Sequence, residues 1–154
     1  LSFARGEGSE VPAQVSLQQI LEEVVEDARR NGADVALENG SGVQVTVRPH
    51  AIKRALTNLI DNASRHSYEV YVGAIRKGEV VEITVDDDGP GIPKAQRESV
   101  FKPFFRIDQS RNVETGGVGL GLTIARDVVR NHGGDLVLGE SAAGGLRALI
   151  RLPV

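Results

Sequence analysis

The sequence predicts an α+β fold, a two-layer α/β sandwich with helices packed on one face of a mixed, mostly antiparallel sheet. Three long stretches carry apolar residues at helical spacing, shorter stretches between them alternate or run apolar as strands do, and several of these are joined by tight glycine turns. Taken in order, residues 1–15 are polar and patternless and read as a linker, leaving 16–154 as one domain. Ser16 and Gln19 form a capping box, and Leu17, Ile20, Leu21, Val24, Val25 and Ala28 follow as one helical stripe that Asn31-Gly32 ends. Val35–Glu38 and Val43–Arg48 read as two short strands around an Asn-Gly-Ser-Gly turn. Pro49 suits a first helical turn, and Ile52, Ala55, Leu56, Leu59, Ile60 and Ala63 make the apolar stripe of a second helix.

Strands are predicted at Glu69–Arg76 and Glu79–Asp86 around Lys77-Gly78. Their alternation puts Val81, Ile83 and Val85 on one face and Glu82, Thr84 and Asp86 on the other. Residues 106–117 are polar and lack apolar spacing, so they read as a mobile loop. A third helix is predicted from Val118 to Asn131, with Leu122, Ala125, Val128 and Val129 inward and Gly133-Gly134 as its stop. Strands at Asp135–Gly139 and Leu146–Leu152 close the chain.

Composition removes whole classes of function. With 154 residues and a formal net charge of −3, the chain can bury a core and has no bulk charge suited to nucleic acid. It has no Cys, which excludes disulfides, thiolate metal sites and a Cys nucleophile, and no apolar run approaches the roughly 20 residues of a membrane span. The chain contains no Met and reads as part of a longer polypeptide.

Four motifs can carry chemistry. Arg54, Asn58 and Asn62 lie four apart on one ridge of the second helix, which Arg65 and His66 extend. An amide oxygen there suits Mg²⁺ when phosphates supply the charge, although alone the ridge reads more readily as a solvated polar face. In DDDGPGIP, Asp86–Pro93, strand parity turns Asp87 toward the core side of the sheet. A buried carboxylate needs a donor, and the exocyclic amine of adenine is one. Gly89 and Gly91 would let backbone approach a flat ring, yet an acidic turn explains the same letters. GGVGLGL, Gly116–Leu122, places glycines 117, 119 and 121 where a helix begins, which is a phosphate-binding geometry or a hinge. It is neither a Walker A loop nor a dinucleotide fingerprint. Phe101-Lys-Pro-Phe-Phe105 gathers three of the four Phe, as a core piece or an anchor at the base of the 106–117 loop.

The order of these motifs resembles the ATP-binding domain of bacterial sensor histidine kinases. RALTNLIDNASRHS is similar to the N box, DDDGPGIP to the G1 box, VFKPFFR to the F box, GGVGLGL to the G2 box and GESAAGGLRALIRLP to the closing strands, over residues 16–154. The resemblance implies the Bergerat-type ATP-binding fold shared with gyrase, Hsp90 and MutL. The F box and short length favour the histidine kinase branch over a related serine kinase or ATPase, and intact Asn62, Asp87 and glycines argue against a nucleotide-binding module without transfer.

The resemblance also implies ATP and Mg²⁺ as cofactors. Asn62 matches the metal ligand, Asn58 its supporting Asn, and Arg65 a phosphate contact. Asp87 matches the adenine-reading Asp, with Gly89, Gly91 and Ile92 lining the base. Gly117, Val118, Gly119, Leu120, Gly121 and Leu122 match the phosphate cradle, and Arg106 closes the F box. His66 stands where the family often has Tyr. LSFAR at residues 1–5 resembles the end of the helical hairpin that carries the phosphoacceptor, which places that domain just upstream. None of the three histidines, His50, His66 and His132, has a phosphoacceptor setting. The implied partners are that dimerisation domain and a response-regulator receiver domain, with no nucleic acid. The implied setting is the cytoplasmic side of an inner-membrane sensor, and this segment alone is expected to be a monomer.

Overall fold

A computed structural model of the chain describes residues 10–38, 42–101 and 118–154. Its elements are β1 (Ala13–Ser16), α1 (Leu17–Arg30), β2 (Val35–Leu37), β3 (Gln44–Val47), α2 (Pro49–His66), β4 (Val70–Lys77) and β5 (Val80–Asp87). Two single 3-10 turns at Lys94–Gln96 and Ser99–Phe101 follow, then α3 (Val118–Asn131), β6 (Asp135–Glu140) and β7 (Leu146–Pro153).

The helices form where their stripes predict. Ser16 Oγ accepts the Gln19 amide at 3.3 Å, the Asn31 amide donates back to the carbonyls of Asp27 and Ala28, and Gly32 at φ 93° lets the chain leave α1. Every apolar stripe residue predicted for the first two helices is buried, as are Leu122, Ala125, Val128 and Val129 of α3. They meet the inward residues of a five-stranded sheet in the order β2-β4-β5-β7-β6, antiparallel except for β2 beside β4. Val81, Ile83 and Val85 are buried on that inner face. On the outer face Arg147 grips Asp86 through two 2.8 Å bonds, and Glu82 meets Lys77 and Arg151 at 3.0 Å. Among the described residues no helix is long and apolar enough to cross a membrane.

Two expectations are corrected. The stretch 1–15 is not linker throughout, because Ala13–Ser16 is a strand paired antiparallel with β3, in register Ala13↔Val47. It is too short and polar to show a pattern, and its hydrogen bonds come from a partner some thirty residues away in sequence. The segments at 35–38 and 43–48 also do not form a hairpin. β2 adds to the edge of the large sheet in register Val35↔Val70, while β3 belongs to the separate two-stranded sheet with β1. Residues 39–41 of the expected turn lie outside the described residues.

The same upstream stretch caps α2. Arg48, at the N-cap, offers no side-chain cap, so Glu10 reaches across and accepts the amides of His50 at 2.8 Å and Ala51 at 3.2 Å. Those donors are among the four that a helix start leaves unpaired, and the carboxylate also faces the positive helix end. Glu10→Ala is expected to lower the unfolding free energy by about 1 kcal/mol, read as an earlier urea midpoint with an unchanged slope. An unchanged midpoint would show that the cap contributes nothing.

Candidate functional site

The direction of α3 along α2 follows from one histidine. His132, just past the end of α3, donates from Nδ1 to the Val128 carbonyl at 2.7 Å, and its Nε2 accepts the Arg48 amide at 3.0 Å. The end of α3 therefore sits at the start of α2. Because the two helices pack along each other, they run in opposite senses, and the glycine-containing start of α3 falls beside the last turns of α2.

Those last turns hold Asn62. Although it lies on a polar ridge, the residue is 8% exposed, and among the described residues its Oδ1 has no hydrogen-bond partner. A buried amide oxygen without a donor is costly unless a ligand completes it. Asn58 is half-buried one turn earlier, Arg65 is exposed, and His66 is half-buried. The backbone carbonyl of His66 packs so closely on Gly89 that a Cβ there would lie 2.2 Å from its oxygen. That contact is why position 89 takes only glycine, and it joins the end of α2 to the turn after β5.

Asp87 ends β5 and is 3% exposed, as its parity predicts. Its Oδ1 accepts two backbone amides, Gly89 at 2.9 Å and Leu146 at 3.0 Å. Among the described residues no hydrogen bond uses Oδ2, which is left as the acceptor for a ligand. No cation among the described residues pairs with the carboxylate either. Gly91 has φ 74°, a Cβ there would lie 3.4 Å from the Gly145 backbone, and Ile92 packs partly on the core. The neighbouring Asp88 accepts the amides of Tyr68 at 2.9 Å and Glu69 at 3.0 Å, tying the α2–β4 connection to the same turn.

The structure thus joins the end of α2, which carries Asn62, Arg65 and His66 with Asn58 one turn before Asn62, to the turn after β5 that carries Asp87, Gly89, Gly91 and Ile92, through the contact of the His66 carbonyl with Gly89. Val118, Gly119, Leu120 and Gly121 lie in the opening turn of α3. Among the described residues a Cβ at Gly121 would meet no atom within 4 Å, so packing against them does not demand glycine there. Leu122 turns its side chain into the core, where it is fully buried, as its place on the inward stripe of α3 predicts. Gly117, Arg106 and the 106–117 loop lie outside the described residues. Of the aromatic cluster, Phe101 is anchored. Its ring lies 4.0 Å beneath the Arg126 guanidinium, which also binds Glu98 through two 3.1 Å contacts, and Thr123 Oγ1 donates to its carbonyl.

Reading the sequence missed Ser141, Gly145 and Asp88. The only signal for the first two was the run of small residues in Ser-Ala-Ala-Gly-Gly. Asp88 looked like one more letter of an acidic turn.

Residues 47–154 match the family model described as histidine kinase-, DNA gyrase B-, and HSP90-like ATPase. The chain is 43% identical over 107 residues to the sensor histidine kinase CpxA of Escherichia coli K12, covering 69% of this chain and 23% of that protein. It is 38% identical over 137 residues to the sensor histidine kinase GtrS of Pseudomonas aeruginosa, covering 89% and 27%. The chain therefore spans about a quarter of the length of these relatives. Among solved structures, the ATP-binding domain of PrrB from Mycobacterium tuberculosis superimposes with a TM-score of 0.79 at 29% identity, covering 94% of this chain and 98% of that one. The mycobacterial sensor histidine kinase MprB gives 0.80 at 31% identity, covering 93% and 97%.

The Asp88 clasp makes a pH prediction. The Glu69 amide chiefly holds the Asp88 carboxyl below its usual 3.8, with desolvation opposing and the Tyr68 amide adding. A depressed carboxylate stabilises the fold fully above its unfolded-state value, and that contribution is lost as pH falls below 3.8 toward the folded-state value. In urea unfolding, the stability gap between the wild type and Asp88→Asn should be constant near neutrality and close as pH falls below 3.8. A gap independent of pH would dismiss the clasp.

Proposed function

This chain belongs to the histidine kinase-, DNA gyrase B- and HSP90-like ATPase family, and from that we propose that it holds Mg-ATP and presents the γ-phosphoryl to a histidine on a separate dimerisation domain. In the reaction, a ring nitrogen of that histidine bonds to the γ-phosphorus as the bond to the β-phosphate oxygen breaks, and ADP leaves. The phosphoryl group then passes to a response-regulator receiver domain.

The carrying observation is Asp87. A buried carboxylate with Oδ1 committed to two backbone amides and no cationic partner offers one directed acceptor, Oδ2, which fits the exocyclic amine of adenine. Gly89, Gly91 and Ile92 then flank the ring. Asn62 fits a metal: its orphaned Oδ1 is a hard neutral oxygen, with Asn58 supporting it. Among the described residues no group of three or more carboxylates and imidazoles is gathered to hold a cation. A Mg²⁺ at Asn62 would therefore take its other ligands from phosphate and water, and it would supply charge neutralisation. Arg65 and the amides of the Gly117–Gly121 stretch would hold phosphate at the positive end of α3. The chain thus supplies position and electrostatics, which is most of what phosphoryl transfer requires.

Two variants test this. Asp87→Asn should weaken ATP and ADP by roughly tenfold to a hundredfold in calorimetry, the range for a hydrogen bond to a charged group, and GTP should compete poorly in the wild type. Equal affinity for ATP and GTP would remove adenine reading. In the full-length kinase, Asn62→Ala should abolish metal-dependent histidine phosphorylation while leaving adenosine binding intact. Retained phosphorylation would take the metal role from Asn62.

A further inference from the structure

The adenine-reading role gives Asp87 one free oxygen, but nothing in that role explains why the carboxylate stays turned that way. The register of β5 with β7 ends at Asp86↔Arg147, so the Asp87 carbonyl lies beyond the last strand pair. A side chain satisfies it instead. Ser141 Oγ donates to the Asp87 carbonyl at 2.6 Å and accepts the Gly145 amide at 3.0 Å, while Ser141 itself is 4% exposed. Two backbone bonds close the turn around it: the Ser141 amide to the Gly145 carbonyl, and the Gly144 amide to the Ser141 carbonyl, both at 3.0 Å.

The fit is close at Gly145. A Cβ there would fall 2.3 Å from Asp87 Oδ1, 2.4 Å from the Asp87 carbonyl oxygen and 2.6 Å from the Gly89 nitrogen. The next residue, Leu146, delivers its amide to Oδ1. The β6–β7 turn therefore holds Asp87 at two points, the carbonyl through Ser141 and the carboxylate through Leu146, and the Ser141 hydroxyl joins the two.

Resting on the adenine-reading role of Asp87, we propose that Ser141 is a positioning residue for base selectivity. Removing its hydroxyl leaves two buried groups without partners, the Asp87 carbonyl and the Gly145 amide. The turn must shift to satisfy them, the Leu146 amide leaves Oδ1, and the carboxylate loses its single orientation. Selectivity for an exocyclic amine then falls.

The test compares ADP with inosine diphosphate, which carries an oxygen where adenine carries its amine. Calorimetry on the full chain gives the affinity ratio for the wild type, Ser141→Ala, Asp87→Asn and the double variant. Ser141→Ala should lower the ADP preference by about fivefold, the scale of one hydrogen bond, and should add little in the Asp87→Asn background. Thr and Val at position 141 share a shape and differ in the hydroxyl, so they keep the comparison open if the alanine variant folds poorly. Ser141→Thr should hold more of the preference than Ser141→Val. A role in folding alone would weaken both nucleotides equally, and that result overturns the proposal. So does a preference unchanged in Ser141→Ala and equal in Thr and Val. A wild type that does not distinguish the two nucleotides, or an Asp87→Asn variant that matches it, removes the adenine role itself and this inference with it.

Discussion

A carboxylate taken almost wholly out of water must find donors. Among the described residues, Asp87 finds them in the backbone and not in a cation. That choice constrains its surroundings. Backbone amides can reach Oδ1 only if the chain passes within hydrogen-bond distance on both sides, so Gly89 and Gly145 have no room for a Cβ. The end of α2 is drawn against the same turn through the His66 carbonyl, and Asp88 fastens the following connection. An arginine partner would have satisfied the charge more simply, as Arg147 does for Asp86 on the opposite face, but it would have occupied both carboxylate oxygens, as it does there.

Placement of the other half of the site depends on helix packing. Asn62 is buried because α2 and α3 pack along each other, and their relative direction is marked by His132 bridging the end of one to the start of the other. The imidazole uses one nitrogen as donor and the other as acceptor, a pattern that defines its tautomer. Phe101, held by Arg126 and Thr123, fixes the chain where it leaves the described part of the F box. Side chains far from any ligand thus decide where the ligand-facing groups stand.

How much of this was legible depends on range. The three helices were visible because their stripes repeat within a few residues, and Asp87 was placed correctly because strand parity is also local. Strand partners were not legible. β1 acquires its structure from β3, and β2 joins β4 in parallel through a crossover, neither of which leaves a mark in the short strand itself. The Leu122 side chain was placed correctly too, since the helical stripe that buries it is read from neighbours within the same helix. Ser141 was hidden because a serine in a turn looks alike whether its hydroxyl meets water or a carbonyl from a strand fifty-four residues earlier.

Glu10 has a mechanical consequence. The chain upstream of α1 is fastened to the domain by the bonds from Glu10 to α2 and Arg48, and by the four residue pairs of β1 with β3. Tension or torque on that strand is borne there before it reaches the hydrophobic interior. His50 and Asn62 stand near opposite ends of one continuous helix, roughly 18 Å apart at 1.5 Å per residue, so the anchored strand and the orphaned amide oxygen share a single stiff element.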